Sequence, residues 1–194
     1  MRVVCPTDGS PRAAAAIDKL IATLVADDVV VQLLAVAGGR TRPLSRQVDG
    51  GPAPGDDDRR VERLLAGERE RLEAAGFTVE SSVRTGHAAD EIVAFVESMR
   101  PDLVILGARS ADGDGHGYSG RVAGTVARYS HAPVLIARDG RPIDRIVLGY
   151  DESPDADAAL ALLAALPYRG APAGRISTGV GAPPAAGTSS ARSW

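Results

Sequence analysis

The chain has 194 residues, 44% of them hydrophobic, and a formal net charge of -3. This size suffices for one ordinary globular core but not for two complete domains. The mixed charges form no basic face or tail, so we expect no nucleic-acid partner. The apolar runs are shorter than the roughly 18 residues that span a bilayer, and no leader precedes the first strand. We therefore expect a cytoplasmic protein without a membrane partner.

Strand-like and helix-like segments alternate along the chain. Five apolar runs predict strands: RVVCPT, VVVQLLAVA, FTVESSVRTG, DLVILG and PVLIAR. The segments between them carry apolar residues at helical spacing, and Ser10 with Pro11 is typical of a helix start. Residues 38–58 lack periodicity and predict a long surface loop. The order predicts an α/β fold, an open, doubly wound, five-stranded parallel sheet with helices on both faces.

Two turn-rich segments follow predicted strands and therefore lie where such sheets bind ligands. These segments are PTDGS, after the first strand, and GARSADGDGHGYSG, residues 107–120. In open α/β sheets, ligands bind beyond the carboxyl ends of the strands, at the point where the strand order reverses. Cys5, within the first strand, is expected to be a small buried side chain rather than a catalytic thiol.

An internal repeat divides the chain. Arg2–Leu20 is similar to Arg145–Leu163, and Asp8, Ser10 and Pro11 stand opposite Asp151, Ser153 and Pro154. We therefore expect one domain over residues 1–141 and the start of an incomplete second copy over 142–166. Residues 167–194 are mostly Ala, Gly, Pro, Ser and Thr and are expected to be disordered. Whether this tail is natural or comes from a truncated or frame-shifted second copy stays open.

Four motifs carry a resemblance to a known family. PTDGS, TGHAADEI, DLVILGARS and YSHAPVLIAR together resemble the universal stress protein family over about Arg2–Arg138, and the restart at Arg145 resembles its tandem members. The resemblance implies a Rossmann-like stress-response regulator that binds ATP or another adenine nucleotide, with or without Mg²⁺. It also implies that the base and sugar contact residues at three strand ends, namely Pro6, Thr7, Asp8, Val36 and Leu106. Asp8 has an alternative interpretation as a turn or helix-capping residue.

The phosphate end of the implied site is the glycine-rich segment. ATP-binding family members carry Gly, two residues, Gly, nine residues, then Gly followed by Ser or Thr. This chain keeps that spacing at Gly107, Ser110 and Gly120, but Ser110 replaces a glycine and Arg121 replaces the hydroxyl residue. If the glycine pattern instead ended at Gly124 and Thr125, the loop would be longer and the helix that follows it would be shorter. The expected phosphate-side residues are Gly107, Arg109, Ser110, Gly120, Arg121 and Val122.

Two interpretations of this segment remain open. Its backbone amides could surround a phosphate at a helix N-terminus, or it could be a flexible connection. Arg121 could pair with a phosphate, or its bulk could fill the site. Asp112, Asp114 and His116 suggest metal ligands, but their spacing matches no known metal loop, so we expect solvated side chains and no protein-held metal.

Three hypotheses of function follow. The first is an adenine-nucleotide-binding regulator with at most weak ATPase activity, because no water-activating residue is visible. The second is a nucleotide-free dimerisation module, since family members commonly form homodimers through the last strand, here Val134–Ile136. The third is an adenylating enzyme of a related fold, for which no catalytic pattern is present.

Overall fold

A computed structural model describes residues 1–38, 56–108, 121–178 and 191–192. The chain divides into two units, each described by itself below. Unit 1 comprises Met1–Ile21 and Ala26–Gly140, and unit 2 comprises Ala22–Val25 and Arg141–Trp194. No helix among the described residues is long and apolar enough to cross a membrane.

Unit 1 contains the predicted alternation of strands and helices. In chain order the elements are β1 (Arg2–Pro6), α1 (Pro11–Thr23, which runs on into unit 2), β2 (Val30–Ala37), α2 (Asp56–Ala74), β3 (Thr78–Thr85), α3 (Ala88–Met99), β4 (Leu103–Gly107), α4 (Arg121–Tyr129) and β5 (Val134–Ala137). All strand pairs are parallel, and the strand order is β3-β2-β1-β4-β5. This confirms the predicted fold class.

Burial on both faces explains the continuous apolar strands. Residues Val3–Pro6 of β1 are all buried, as expected for a central strand of a covered parallel sheet. One face packs against α3 and α4, whose Phe95, Val96 and Val126 form a cluster with Val4 and Val104 of the sheet. α1 and α2 contribute further buried side chains, including Ile17, Leu20 and Leu72.

Local signals set the helix boundaries. The Ser10 hydroxyl accepts a hydrogen bond from the Ala13 N–H at 3.3 Å, which satisfies one of the free donors at the start of α1. Gly76 ends the α2 region with φ +94°, and the Phe77 N–H donates to the Leu72 carbonyl at 3.1 Å. A left-handed glycine with this bond is a common helix end, which explains why α2 stops shortly before Gly76.

Unit 2 contains β6 (Arg145–Tyr150), α5 (Pro154–Ala165), β7 (Ala173–Thr178) and β8 (Ala191–Arg192). β7 pairs with β6 in parallel and with β8 in antiparallel orientation. The sequence led us to expect disorder from residue 167 onward, whereas the structure has a strand over residues 173–178. Backbone hydrogen bonding to β6 orders this segment, and composition alone does not reveal such pairing. Residues 179–190 lie outside the described residues.

The βαβ segment of unit 2 repeats that of unit 1 in detail. In both, paired strand residues lie 28 positions apart in the chain, Arg2 with Val30 and Arg145 with Ala173. The Asp151 carboxylate accepts from the Ser153 N–H at 3.0 Å, and the Ser153 hydroxyl caps α5 by accepting from the Ala156 N–H at 3.1 Å. Hydrogen bonds from Ser153 lower the pKa of Asp151. The repeat is therefore one of local geometry as well as of sequence.

Candidate functional site

A cavity of about 260 Å³ lies at the carboxyl ends of β1 and β4 in unit 1. The chain passes from β1 to β2 on one side and from β4 to β5 on the other, so the cavity lies at the switch point of the sheet. Its size is near the lower limit of roughly 300 Å³ for small-molecule sites. The cavity is lined by the ends of β1, β2 and β4 and by the starts of α1, α3 and α4.

Most of the predicted site residues line this cavity, although they are distant in sequence. Eight do so: Pro6, Thr7, Asp8, Val36, Leu106, Gly107, Arg121 and Val122. The other three, Arg109, Ser110 and Gly120, lie outside the described residues, as do Asp112, Asp114 and His116. The structure thus brings the predicted base end and part of the predicted phosphate end together. That these residues bind a nucleotide remains a prediction.

The turn after β1 is held by its own hydrogen bonds. The Thr7 N–H donates to the Leu34 carbonyl at 2.8 Å, which ties the turn to β2. Asp8 is exposed, and its carboxylate accepts from the Ser10 N–H at 2.9 Å. Asp8 therefore does stabilise the turn. Because a carboxylate can accept bonds at both oxygens, this role is compatible with a ligand contact.

A close backbone contact, which sequence reasoning did not identify, requires glycine at position 107. A Cβ atom at this position would lie 2.2 Å from the backbone carbonyl oxygen of Arg12 and 2.5 Å from its carbonyl carbon. The end of β4 and the first turn of α1 therefore approach so closely that only glycine fits. This requirement is one of close approach, and it holds whether or not a ligand binds.

Sequence reasoning also missed several lining residues. They are Ser10, Arg12, Ala13, Leu34, Ala88, Ile92 and Ala123. Arg12 follows PTDGS by two residues and lies in the first turn of α1, a position that by itself does not distinguish it from a surface residue. The apolar members lie inside predicted elements, where their facing direction depends on the packing of helices on the sheet.

The charged residues of the cavity that the structure describes favour an anion. Among the described lining residues, the ionisable side chains are those of Asp8, Arg12 and Arg121. Two guanidinium groups thus oppose one carboxylate, and guanidinium groups stay protonated in proteins. The remaining wall is largely apolar, with Val36, Leu106 and other aliphatic side chains. Such a site suits a ligand with an apolar part and a negatively charged part.

Neither a reactive thiol nor a metal cluster is found among the described residues. Cys5 is completely buried, and burial, together with the negative charge of Glu68, raises the pKa of its thiol to about 12. This confirms the expectation that Cys5 is a core residue. Within residues 1–38, 56–108, 121–178 and 191–192, no group of three or more His, Cys, Asp or Glu side chains could hold a metal ion.

The strand order and the switch-point cavity define a doubly wound, Rossmann-like α/β protein. A family model described as "Universal stress protein family" matches residues 1–138. The chain therefore belongs to the universal stress protein family, as its motifs predicted. None of the curated proteins compared with the chain matches it.

Solved structures of family members share the fold of unit 1. A universal stress protein in complex with cAMP is 24% identical, with TM-score 0.53, and covers 71% of this chain and 96% of its own. A family member from Arabidopsis thaliana with AMP bound is 19% identical, with TM-score 0.52, and the match covers 71% of this chain and 90% of that chain. A universal stress protein from Archaeoglobus fulgidus DSM 4304 is 23% identical, with TM-score 0.63, and the match covers 82% of this chain and 60% of that chain.

Proposed function

We propose that this universal stress protein is a regulator that binds an adenine nucleotide, with ATP as the first candidate, in the cavity at the ends of β1 and β4. One observation carries the proposal, namely that eight residues predicted from distant motifs line the same cavity. The cAMP and AMP bound to two structural neighbours support an adenine nucleotide as the ligand class. The regulator acts by binding, and ATP hydrolysis is at most weak.

The two ends of the cavity have different chemistry. At the base end, Val36 and Leu106 offer apolar contacts, and the Asp8 carboxylate can accept from an amino or hydroxyl group. At the phosphate end, Arg121 is the first residue of α4, where the helix dipole also favours negative charge. Mg²⁺, where present, accompanies the phosphates of the nucleotide.

Isothermal titration of the full-length protein with ATP, in Mg²⁺ and in EDTA, tests this function. The wild type should bind saturably, and Arg121→Glu should abolish binding because it places a carboxylate beside the phosphates. Arg128→Glu is the matched control, since Arg128 lies on the same helix but does not line the cavity. Full affinity in Arg121→Glu would disprove the phosphate-end assignment. Absence of binding by the wild type, with no co-purified nucleotide, would overturn the proposed function.

A second candidate function is homodimerisation, which one feature of the sheet favours. β5 lies at an edge of the five-stranded sheet, and its Val134, Leu135 and Ile136 are only half-buried.

Our proposal also keeps a cytoplasmic location and a truncated second tandem domain, the latter supported by the repeated βαβ geometry. An adenylating enzyme has no supporting observation.

A further inference from the structure

Leu64 of α2 packs against the turn that follows β1. A Cβ atom placed on Gly9 would lie 3.0 Å from the Leu64 Cδ1 and 3.4 Å from its Cδ2. Carbon atoms in ordinary contact lie roughly 3.5–4.0 Å apart, so a larger residue at position 9 would push Leu64 away. Gly9 also has φ +73°, a left-handed conformation that glycine adopts without strain. Glycine at this position therefore suits both the backbone and the leucine beside it.

Gly9 lies between two residues of the candidate site. Asp8 and Ser10 both line the cavity, and the Asp8 carboxylate accepts from the Ser10 N–H at 2.9 Å. The Gly9 N–H donates to the Thr7 hydroxyl at 3.3 Å, which is a long bond. Because glycine has more backbone conformations available than other residues, contacts from outside the turn help to restrict it to one. Leu64, which is not among the described residues that line the cavity, supplies such a contact.

The second βαβ segment has the same turn with a different residue at this position. Glu152 stands opposite Gly9, is exposed, and has φ +65°, close to the +73° of Gly9. The same bond closes this turn, from the Ser153 N–H to the Asp151 carboxylate at 3.0 Å. The turn itself therefore sets the left-handed conformation, and a residue with a Cβ can adopt it. Glycine at position 9 has a further reason, which is the packing of Leu64.

We propose that Leu64 is a positioning residue of the candidate site, which acts through Gly9 on the carboxylate of Asp8. This proposal rests on the proposed adenine-nucleotide function, in which Asp8 accepts a bond from the base or the sugar. A hydrogen bond weakens steeply when its donor and acceptor are misaligned. A turn that samples several conformations therefore loses affinity even when every contacting residue is present. In this way α2 sets how well the turn after β1 recognises the ligand.

Calorimetric titration with ATP tests this role in Leu64→Ala and in the matched control Leu65→Ala. Leu65 is the next residue of α2, is 7% exposed, and is not among the described cavity residues. Leu64→Ala should weaken ATP binding about fivefold to tenfold, as expected when one hydrogen bond to a charged group is poorly aligned. Leu64→Met, which keeps the apolar bulk, should recover most of this affinity. Leu65→Ala should destabilise the fold at least as much but change ATP affinity less than about twofold.

A double-mutant cycle with Asp8→Asn determines whether Leu64 acts through Asp8. Asparagine keeps an oxygen that accepts from the Ser10 N–H, but an amide group replaces the other carboxylate oxygen. In the Asp8→Asn background, Leu64→Ala should weaken ATP binding less than about twofold, because residues that act as one unit are not additive. Full additivity of the two losses would overturn the proposal, and so would an equal loss of affinity in Leu65→Ala.

Amide hydrogen exchange without ligand separates this proposal from the function on which it rests. The Gly9 and Ser10 amides should exchange about fivefold faster or more in Leu64→Ala, and within about twofold of the wild type in Leu65→Ala, because a surface turn opens locally. Unchanged exchange in Leu64→Ala would disprove its role, and the nucleotide function would stand if the wild type binds ATP. Failure of the wild type to bind ATP would overturn the function and the effect of Leu64 on affinity, whereas faster exchange would still establish that Leu64 holds the turn. Circular dichroism spectra of each variant establish that the fold is retained.

Discussion

At the scale of single residues, the contact between Gly107 and Arg12 is the most restrictive one in the candidate site. A Cβ 2.2 Å from a backbone oxygen cannot be accommodated by a side-chain rotation, so either β4 or the first turn of α1 must shift. We therefore expect Gly107→Ala to lower the free energy of unfolding by about 1–3 kcal/mol. Urea denaturation followed by circular dichroism measures this change.

Gly67 provides the matched control for this substitution. It lies within α2, and a Cβ placed on it meets nothing within 4 Å. Because alanine is a better helix former than glycine, Gly67→Ala should stabilise the protein by about 0.5–1 kcal/mol. Opposite signs for the two variants are the expected result. A Gly107→Ala variant as stable as the wild type would show that α1 moves away from β4 without penalty.

The residues of the site differ in how far the sequence could predict them. Asp8, Gly107 and Arg121 were predicted because their motifs resemble those of the universal stress protein family, and Asp8 and Gly107 also stand at the ends of strand-like runs. Arg12 was not, because a charged residue in the first turn of a helix has the same pattern as an ordinary surface residue. Its position in the cavity depends on the crossing of α1 over the end of β4, which is a tertiary contact.

At the scale of elements, the two βαβ segments have the same register but different burial. Val4 of β1 is 0% exposed, whereas Val147, at the equivalent position of β6, is 69% exposed. β1 lies between β2 and β4, but β6 is an edge strand of its sheet. The comparison separates what the local sequence determines, namely strand, turn and capped helix, from what the surrounding sheet determines, which is burial.

Alanine substitutions at the two equivalent valines measure how the difference in burial affects the free energy of unfolding. Val4→Ala should lower the free energy of unfolding by about 2 kcal/mol, because two buried carbon groups are removed and a cavity is left. Val147→Ala should change it by less than about 0.5 kcal/mol, as expected for an exposed side chain. Urea denaturation of both variants gives the comparison. A similar loss in both would mean that another surface covers Val147 in solution.

β7 shows where prediction at this scale is limited. Residues 173–178 contain glycine, arginine, serine and threonine and have no strong strand pattern, so composition favoured disorder. Their order comes from backbone bonds to β6, and backbone bonding depends only weakly on side-chain type. By contrast, β1, β2 and β4 were predicted correctly because strands buried on both faces must be apolar along their length.

At the scale of the whole molecule, the two edges of the five-stranded sheet are protected differently. β3, at one edge, is largely exposed and carries polar and charged side chains such as Glu80 and Arg84. β5, at the other, consists of Val134, Leu135, Ile136 and Ala137. Natural proteins block sheet edges with charges, and an apolar edge is available for pairing. The unequal edges favour association through β5 rather than through β3.

The backbone of β5 indicates which groups such pairing would use. The carbonyls of Pro133 and Ala137 accept bonds from Val104 and Ala108 and therefore point toward β4. Since backbone groups alternate in direction along a strand, the N–H groups of Val134 and Ile136 point away from β4. A proline at position 134 would remove one outward donor, leave the bonds to β4 in place and keep an apolar ring against the core. Proline is tolerated at the first residue of an edge strand for this reason.

We therefore expect wild-type protein at micromolar concentration to be a dimer and Val134→Pro to be a monomer, as measured by size-exclusion chromatography with light scattering. Val83→Thr, an exposed position on the opposite edge, is the control and should remain dimeric. Equal thermal stability of the dilute proteins would show that Val134→Pro acts on association rather than on folding. A monomeric wild type would contradict edge pairing, whereas a dimer unaffected by Val134→Pro would place the interface elsewhere. β4 pairs with β5, and the end of β4 lines the cavity. ATP titration of the monomeric variant therefore decides whether nucleotide binding requires the dimer.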